Sequence, residues 1–273
     1  MKTIIVPTDY SPSAMNAVNY AADMALEIGA ELLLLHVYQL PVAVAEVPLA
    51  LVSVEDMQEG EERKMSDLKT DLEHITSGNV KINTEVRLGN VIDELGEICK
   101  KTDPFAIIMG TTGHSAIERT LFGSITLSAI KHLTWPVICV PKGKEYGGGI
   151  KKIGLACDLQ NVEETIPFAS ITNFVKELKA EFHILNVEQQ EPKPDLSEQT
   201  AILGTAVMDM NPQFHFIDHN DIEDGINEFA EKNNLDLVIA IPKKHKLLQG
   251  LFKPSSTKQL VFESHIPVMC IHE

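Results

Sequence analysis

Apolar residues along the chain gather into short continuous runs, separated by segments of helical periodicity, and the whole alternation occurs twice. The first run, Ile4-Ile5-Val6, ends in Pro7-Thr8-Asp9; behind it Ala14, Val18, Ala21, Ala22 and Ala25 recur at helical spacing, with Ser11-Pro12 as cap and first turn. A second run from Glu31 to Val37 follows. The later half repeats the scheme. Ile153-Gly154-Leu155-Ala156-Cys157 ends in Asp158, a helix is predicted through Ile166, Phe168, Ala169, Phe174 and Leu178, and a run from Glu181 to Val187 comes next. Near the end of each half, Phe105-Ala106-Ile107-Ile108-Met109 answers Leu237-Val238-Ile239-Ala240, and Trp135-Pro136-Val137-Ile138-Cys139-Val140 answers Ile266-Pro267-Val268-Met269-Cys270-Ile271. Such unbroken apolar runs suit parallel strands covered on both faces. Strands alternating with helices predict an α/β protein of two tandem doubly wound domains, each with a five-stranded, mostly parallel sheet flanked by helices. The glycine-rich polar segment 142–149 has linker composition, which places the domains at 1–143 and 150–273. Two polar stretches, 41–60 and 189–200, fall where lids or insertions are tolerated.

Length agrees with two domains, since 273 residues exceed the commonest single core. A composition of 44% hydrophobic and 23% charged residues is that of a globular protein. The formal net charge of −16 argues against a nucleic-acid footprint, which needs clustered Lys and Arg. Any phosphate ligand must then be held locally, by backbone. No uncharged run reaches the roughly 18 residues of a membrane helix, and the N-terminal apolar run is too short for a signal peptide, so no membrane partner and a cytoplasmic location are expected. The four cysteines, Cys99, Cys139, Cys157 and Cys270, lack CxxC spacing and read as reduced core residues.

The segment that carries chemistry runs from Met109 through Gly110-Thr111-Thr112-Gly113-His114 to Gly123-Ser124-Ile125-Thr126, after a strand and before a helix. That is the carboxyl edge of a strand in a doubly wound sheet, where ligands gather. Two glycines let the backbone turn tightly and approach a bulky anion without a Cβ in the way. Gly123-Ser124 then opens a helix whose free N–H groups attract phosphate, with the Ser124 and Thr126 hydroxyls as further donors. The spacing glycine-x2-glycine-x9-glycine-serine resembles the ATP-binding signature of the universal stress protein family. The resemblance covers the whole chain, twice. It implies an adenine nucleotide alpha hydrolase-like fold, with Asp9 of Pro7-Thr8-Asp9 beside the adenosine and Val37 against the adenine. The ligand it implies is ATP, AMP or ADP, with Mg2+.

The second half departs from this pattern: Ile241, Lys244 and Pro254 stand where the first has Gly110, Gly113 and Gly123, although Asp158 persists. A β-branched side chain, a long one and a proline would break the phosphate cradle. One nucleotide per chain is therefore expected. Bland roles compete for several of these residues: the glycines as turn residues, Ser124 and Asp9 as helix caps, His114 as a loop histidine that recurs as His245. His215 and His219 lie along one apparent strand too far apart for a metal site. The leading functional reading is a nucleotide-dependent binding or regulatory module in stress response. A weak ATPase with Asp9 or His114 near the reacting groups is a second reading, and a protein-interaction scaffold with a relic site a third. No P-loop lysine, nucleophile elbow or metal-ligand cluster is visible, so at most slow ATP hydrolysis is expected. The matched final strands, 137–140 and 268–271, predict that the two domains pair within the chain, and whole chains could pair again as a homodimer.

Overall fold

The computed structural model describes residues 1–40, 53–111, 123–188, 196–242 and 254–272. In the first half the elements are β1 (Thr3–Pro7), α1 (Pro12–Ile28), β2 (Glu31–Tyr38), α2 (Val54–Ile75), β3 (Ile82–Leu88), α3 (Val91–Thr102), β4 (Ala106–Gly110), α4 (Gly123–His132) and β5 (Val137–Val140). The second half runs β6 (Lys152–Ala156), α5 (Val162–Thr165), α6 (Phe168–Leu178), β7 (Glu181–Glu188), α7 (Ser197–Ala206), β8 (Gln213–Asp218), α8 (Ile222–Lys232), β9 (Leu237–Ala240), α9 (Pro254–Glu263) and β10 (Val268–Cys270). These are two tandem doubly wound α/β domains. Within each half every strand pairing is parallel. The two sheets are continuous, in the order β3-β2-β1-β4-β5-β10-β9-β6-β7-β8. At the centre β5 and β10 run antiparallel, with Ile138 opposite Met269. The order reads the same from either edge once β6 to β10 are matched to β1 to β5.

Local sequence accounts for most boundaries. Ser11 caps α1, its hydroxyl accepting from the Ala14 N–H at 3.2 Å, Pro12 opens the first turn, and Gly29 closes it at φ +63°. The buried face of α1 is Ala17, Val18, Tyr20, Ala21, Met24 and Ala25, whose small members bring the helix close to β4. Ser53 and Asp56 form a capping box at the start of α2, which therefore begins inside the polar stretch expected to be a lid. The stretch near 200 likewise gives way to α7 at Ser197, and what remains of the two stretches lies mostly outside the described residues. The helix expected after Asp158 is broken in two. Ile166, ahead of Pro167, is extended at φ −105°, ψ 118°, as residues before proline prefer, so α5 ends at Thr165 and α6 starts afresh.

The segment between β5 and β6 has the composition of a free linker but is strapped onto α1. Asn16 donates to the carbonyls of Pro141 and Lys144 at 3.1 and 3.2 Å. Tyr146 is buried with its ring edge-on to Tyr20, centroids 5.0 Å apart. Gly149, at φ +87°, lies so close to Glu27 that a Cβ would stand 2.3 Å from its carboxylate, and Lys151 bonds the same carboxylate at 2.9 Å. Across the seam Phe105 stacks on Phe174 at 5.1 Å and Lys2 pairs with Glu177 at 2.9 Å. One hydrophobic cluster holds residues of both halves, from Ile4 and Met24 to Phe174 and Ile239. All four cysteines are buried thiols outside any disulfide. Among the described residues no helix is long and apolar enough to cross a membrane.

Candidate functional site

The strand order of the first half reverses between β1 and β4, and a doubly wound sheet opens a crevice at the carboxyl ends of the strands where it does so. A cleft lies there, lined among the described residues by Pro7, Thr8, Asp9, Ser11, Ser13, Ala14, Leu35, Val37, Val91, Met109, Gly110, Ile125 and Thr126. The fold thus brings together Pro7, Thr8, Asp9, Val37, Met109, Gly110, Ile125 and Thr126 of the residues singled out in the sequence. Gly123 and Ser124 open α4, directly ahead of Ile125 and Thr126. Thr112, Gly113 and His114 lie outside the described residues, as does Lys244 of the second half.

The floor of the cleft is built by short hydrogen bonds between segments far apart in sequence. The Thr8 N–H donates to the Leu35 carbonyl at 2.8 Å, and the Thr8 carbonyl accepts from His36 Nδ1 at 2.8 Å, so β2 holds both polar groups of this residue. Asp9 is exposed, and its Oδ1 accepts from the Ser11 N–H at 3.0 Å. The helix cap falls to Ser11 instead, which leaves Asp9 a member of the cleft wall with a fixed turn behind it. Tyr10 takes a left-handed φ of +61°, its N–H bonded to the Thr8 hydroxyl at 3.0 Å. Burial, and then the charge of Glu61, push its phenol up to about 12.

The reason for glycine at position 110 differs from the one its spacing suggested. A Cβ there would stand 2.3 Å from the Ser13 carbonyl oxygen and 2.5 Å from the Ser13 hydroxyl. It is α1, ahead of any anion, that comes too close for a side chain. The Ser13 hydroxyl donates to the Thr111 carbonyl at 2.7 Å, locking the first turn of α1 to the end of β4. Thr126 also differs from expectation, since its hydroxyl donates to the Gly110 carbonyl at 3.2 Å and the residue is buried. Its role in the geometry is to tie α4 to the same segment. Ser13, Ala14, Leu35 and Val91 escaped the sequence reading because they carry no motif. Their shared wall exists only once α1, β2 and α3 are packed.

The matching place in the second half is built otherwise. Asp158 is buried rather than exposed, its Oδ1 accepting from the Gln160 N–H at 3.1 Å. Ile241, Leu159 and Val162 are buried in one hydrophobic cluster. With α1's counterpart broken into α5 and α6, a β-branched side chain is buried where the first half requires glycine. Among the described residues no group of three or more His, Cys, Asp or Glu could hold a metal ion.

The model of the family described as "Universal stress protein family" matches residues 1–141. The chain is 34% identical over 147 residues to universal stress protein MJ0531 of Methanocaldococcus jannaschii, covering 53% of this chain and 84% of that one. It is 31% identical over 145 residues to universal stress protein G of Salmonella typhimurium, covering 51% and 98%. Its fold matches the crystal structure of a universal stress protein from Archaeoglobus fulgidus with a TM-score of 0.73 at 16% identity, over 99% of this chain and 98% of the other.

Proposed function

Because the chain belongs to the universal stress protein family, we propose that its first half, residues 1–143, binds one adenine nucleotide, ATP, ADP or AMP, and acts as a nucleotide-dependent binding or regulatory module. The observation that carries this reading is the cleft at the sheet's reversal point, where Asp9, Val37, Met109 and Gly110 meet the start of α4. In this reading the apolar wall of Leu35, Val37 and Val91 takes the adenine, Asp9 accepts a hydrogen bond from the nucleoside, and the phosphates extend toward Gly123 and Ser124. The free N–H groups at the start of α4 supply positive potential without a cationic side chain. That fits a chain of net charge −16. Mg2+ would ride on the phosphates, because Asp9 is the only carboxylate on the cleft wall among the described residues.

The second half, residues 150–273, serves in this reading as a structural partner, its matching place taken by Ile241, Leu159 and Val162. The β5 and β10 pairing supports a working unit made of both halves, and a homodimer of whole chains in the cytoplasm completes the proposal. Calorimetric titration with Mg-ATP tests it. Saturation at one nucleotide per chain is expected, with the heat abolished by Gly113→Lys, which copies the second half's residue into the first. Two equivalent sites, or none, would sink the reading.

A further inference from the structure

His36 on β2 is buried and makes two contacts that lead in opposite directions. Nδ1 lies 2.8 Å from the Thr8 carbonyl, which can only accept, so Nδ1 carries a hydrogen. Nε2 lies 3.4 Å from Oε2 of Glu61 on α2, and the other oxygen of that carboxylate accepts from Lys64 at 2.8 Å. The His36 ring also packs against Tyr10, centroids 4.7 Å apart. A carboxylate, an imidazole and a carbonyl therefore connect α2 to the turn that presents Asp9, although α2 itself places no described residue on the cleft wall.

The second half supplies an internal comparison. At the place of His36 it has Asn186, whose Nδ2 donates to the Cys157 carbonyl at 2.9 Å, the same bond to the residue ahead of the acid. Its other polar atom, Oδ1, is buried with no hydrogen-bond partner. The bond to the strand end thus occurs in both halves, whereas the second arm reaching a helix is found in the half with the open cleft.

We propose that His36 is a positioning residue of the nucleotide cleft, which fixes the Thr8–Asp9 turn through the Thr8 carbonyl and ties that turn to Glu61, so that α2 governs nucleotide affinity without touching the nucleotide. This rests on the nucleotide-binding reading above. Protonation adds an N–H at Nε2 that donates to Glu61, whereas the neutral ring turns a lone pair toward the carboxylate. The groups facing the imidazole are Glu61, with Lys64 behind it, on α2, and Tyr10 from the loop after β1; β3 sets Val86 beside it in register. With Nδ1 already donating to Thr8, the tie to α2 is made only by a ring that carries a hydrogen on both nitrogens.

The test uses the full chain with two readouts: amide exchange of residues 8–11 without nucleotide, and Mg-ATP affinity at about pH 6 and about pH 8, the range in which histidine changes charge. His36→Asn keeps the carbonyl bond, so exchange stays at the wild-type rate and affinity at about pH 8 stays within about threefold, while the wild type's gain in affinity at the lower pH is lost. Glu61→Gln loses the same gain and keeps the protection. His36→Leu loses both contacts, with exchange faster and affinity weaker by about tenfold or more. A wild-type pH profile surviving in both His36→Asn and Glu61→Gln would overturn the proposal, as would His36→Asn exchanging as fast as His36→Leu. Should the wild type bind no nucleotide, the reading of the cleft fails, while the exchange comparison still decides what His36 holds.

Discussion

Gly110 stands where the first turn of α1 runs closest to the end of β4, and the 2.3 Å separation between its would-be Cβ and the Ser13 carbonyl leaves no room for a methyl group. The obstructing atom is backbone, so a rotamer change cannot relieve it. Gly110→Ala is expected to lower stability by about 1–3 kcal/mol, the usual range for forcing a methylene into a filled site, and to shift the urea midpoint accordingly. An unchanged midpoint would mean that α1 moves aside freely. At this scale the sequence showed which residues meet in one place more reliably than what holds them there. Asp9, Val37 and Gly110 were legible from a motif, whereas Ser13 and Val91 belong to the cleft through packing between elements that no local spacing records. Thr126 was legible as a residue of the same segment, yet its bond to the Gly110 carbonyl depends on where α4 docks.

Between elements, the pairing of β7 with β8 sets His183 and His215 side by side, with Nδ1 and Nε2 3.0 Å apart. The positions of His183 in β7 and His215 in β8 correspond to Leu33 in β2 and Glu85 in β3, so the second half has placed an imidazole pair where the first has a leucine and a carboxylate. Burial holds both imidazoles below their ordinary value, and for His183 the neighbouring His215 adds to the effect. A histidine depressed in the folded state is neutral there while the unfolded chain takes up a proton. Stability is therefore full above the unfolded value near pH 6.5 and is lost as pH falls through it. Urea midpoints measured from about pH 7.5 down to about pH 5.5 should fall more steeply for the wild type than for His183→Leu. Equal slopes would show that the pair does not link folding to protons. Element types were legible from apolar periodicity in the runs that open and close each half, but boundaries were not where capping chemistry hid in polar sequence. Ser53 and Asp56 start α2 within a stretch that composition assigned to a loop, and Pro167 divides a helix whose apolar spacing looked continuous.

For the molecule as a whole, the question is whether two repeats make two folding units or one. A segment rich in glycine has the composition of a linker, but composition reports the chain's intrinsic freedom and not the contacts that remove it. The strap's contacts with Asn16, Tyr20 and Glu27 all belong to α1, whose first turn also lines the cleft. The sheet is continuous through β5 and β10, and two hydrophobic clusters each take in residues of both halves. Separating the halves would expose the edges of two apolar strands together with the Phe105 and Phe174 stack, a strong penalty against half-unfolded states. The chain offers a convenient reporter, since its single tryptophan, Trp135, lies in the first half with its indole N–H bonded to Asp103 at 2.8 Å. Far-UV circular dichroism, in contrast, sees the helices of both halves. Urea unfolding followed by tryptophan fluorescence and by circular dichroism is expected to give coincident transitions. Mg-ATP at about 100 times its dissociation constant should then raise the stability seen by both probes equally, by about 2.7 kcal/mol, because a ligand bound to one half stabilises every part of a single cooperative unit. If the fluorescence transition moved with nucleotide while part of the dichroism transition stayed behind, the two halves would be separate folding units joined by a strap, and the second could not sense the occupancy of the first through stability alone.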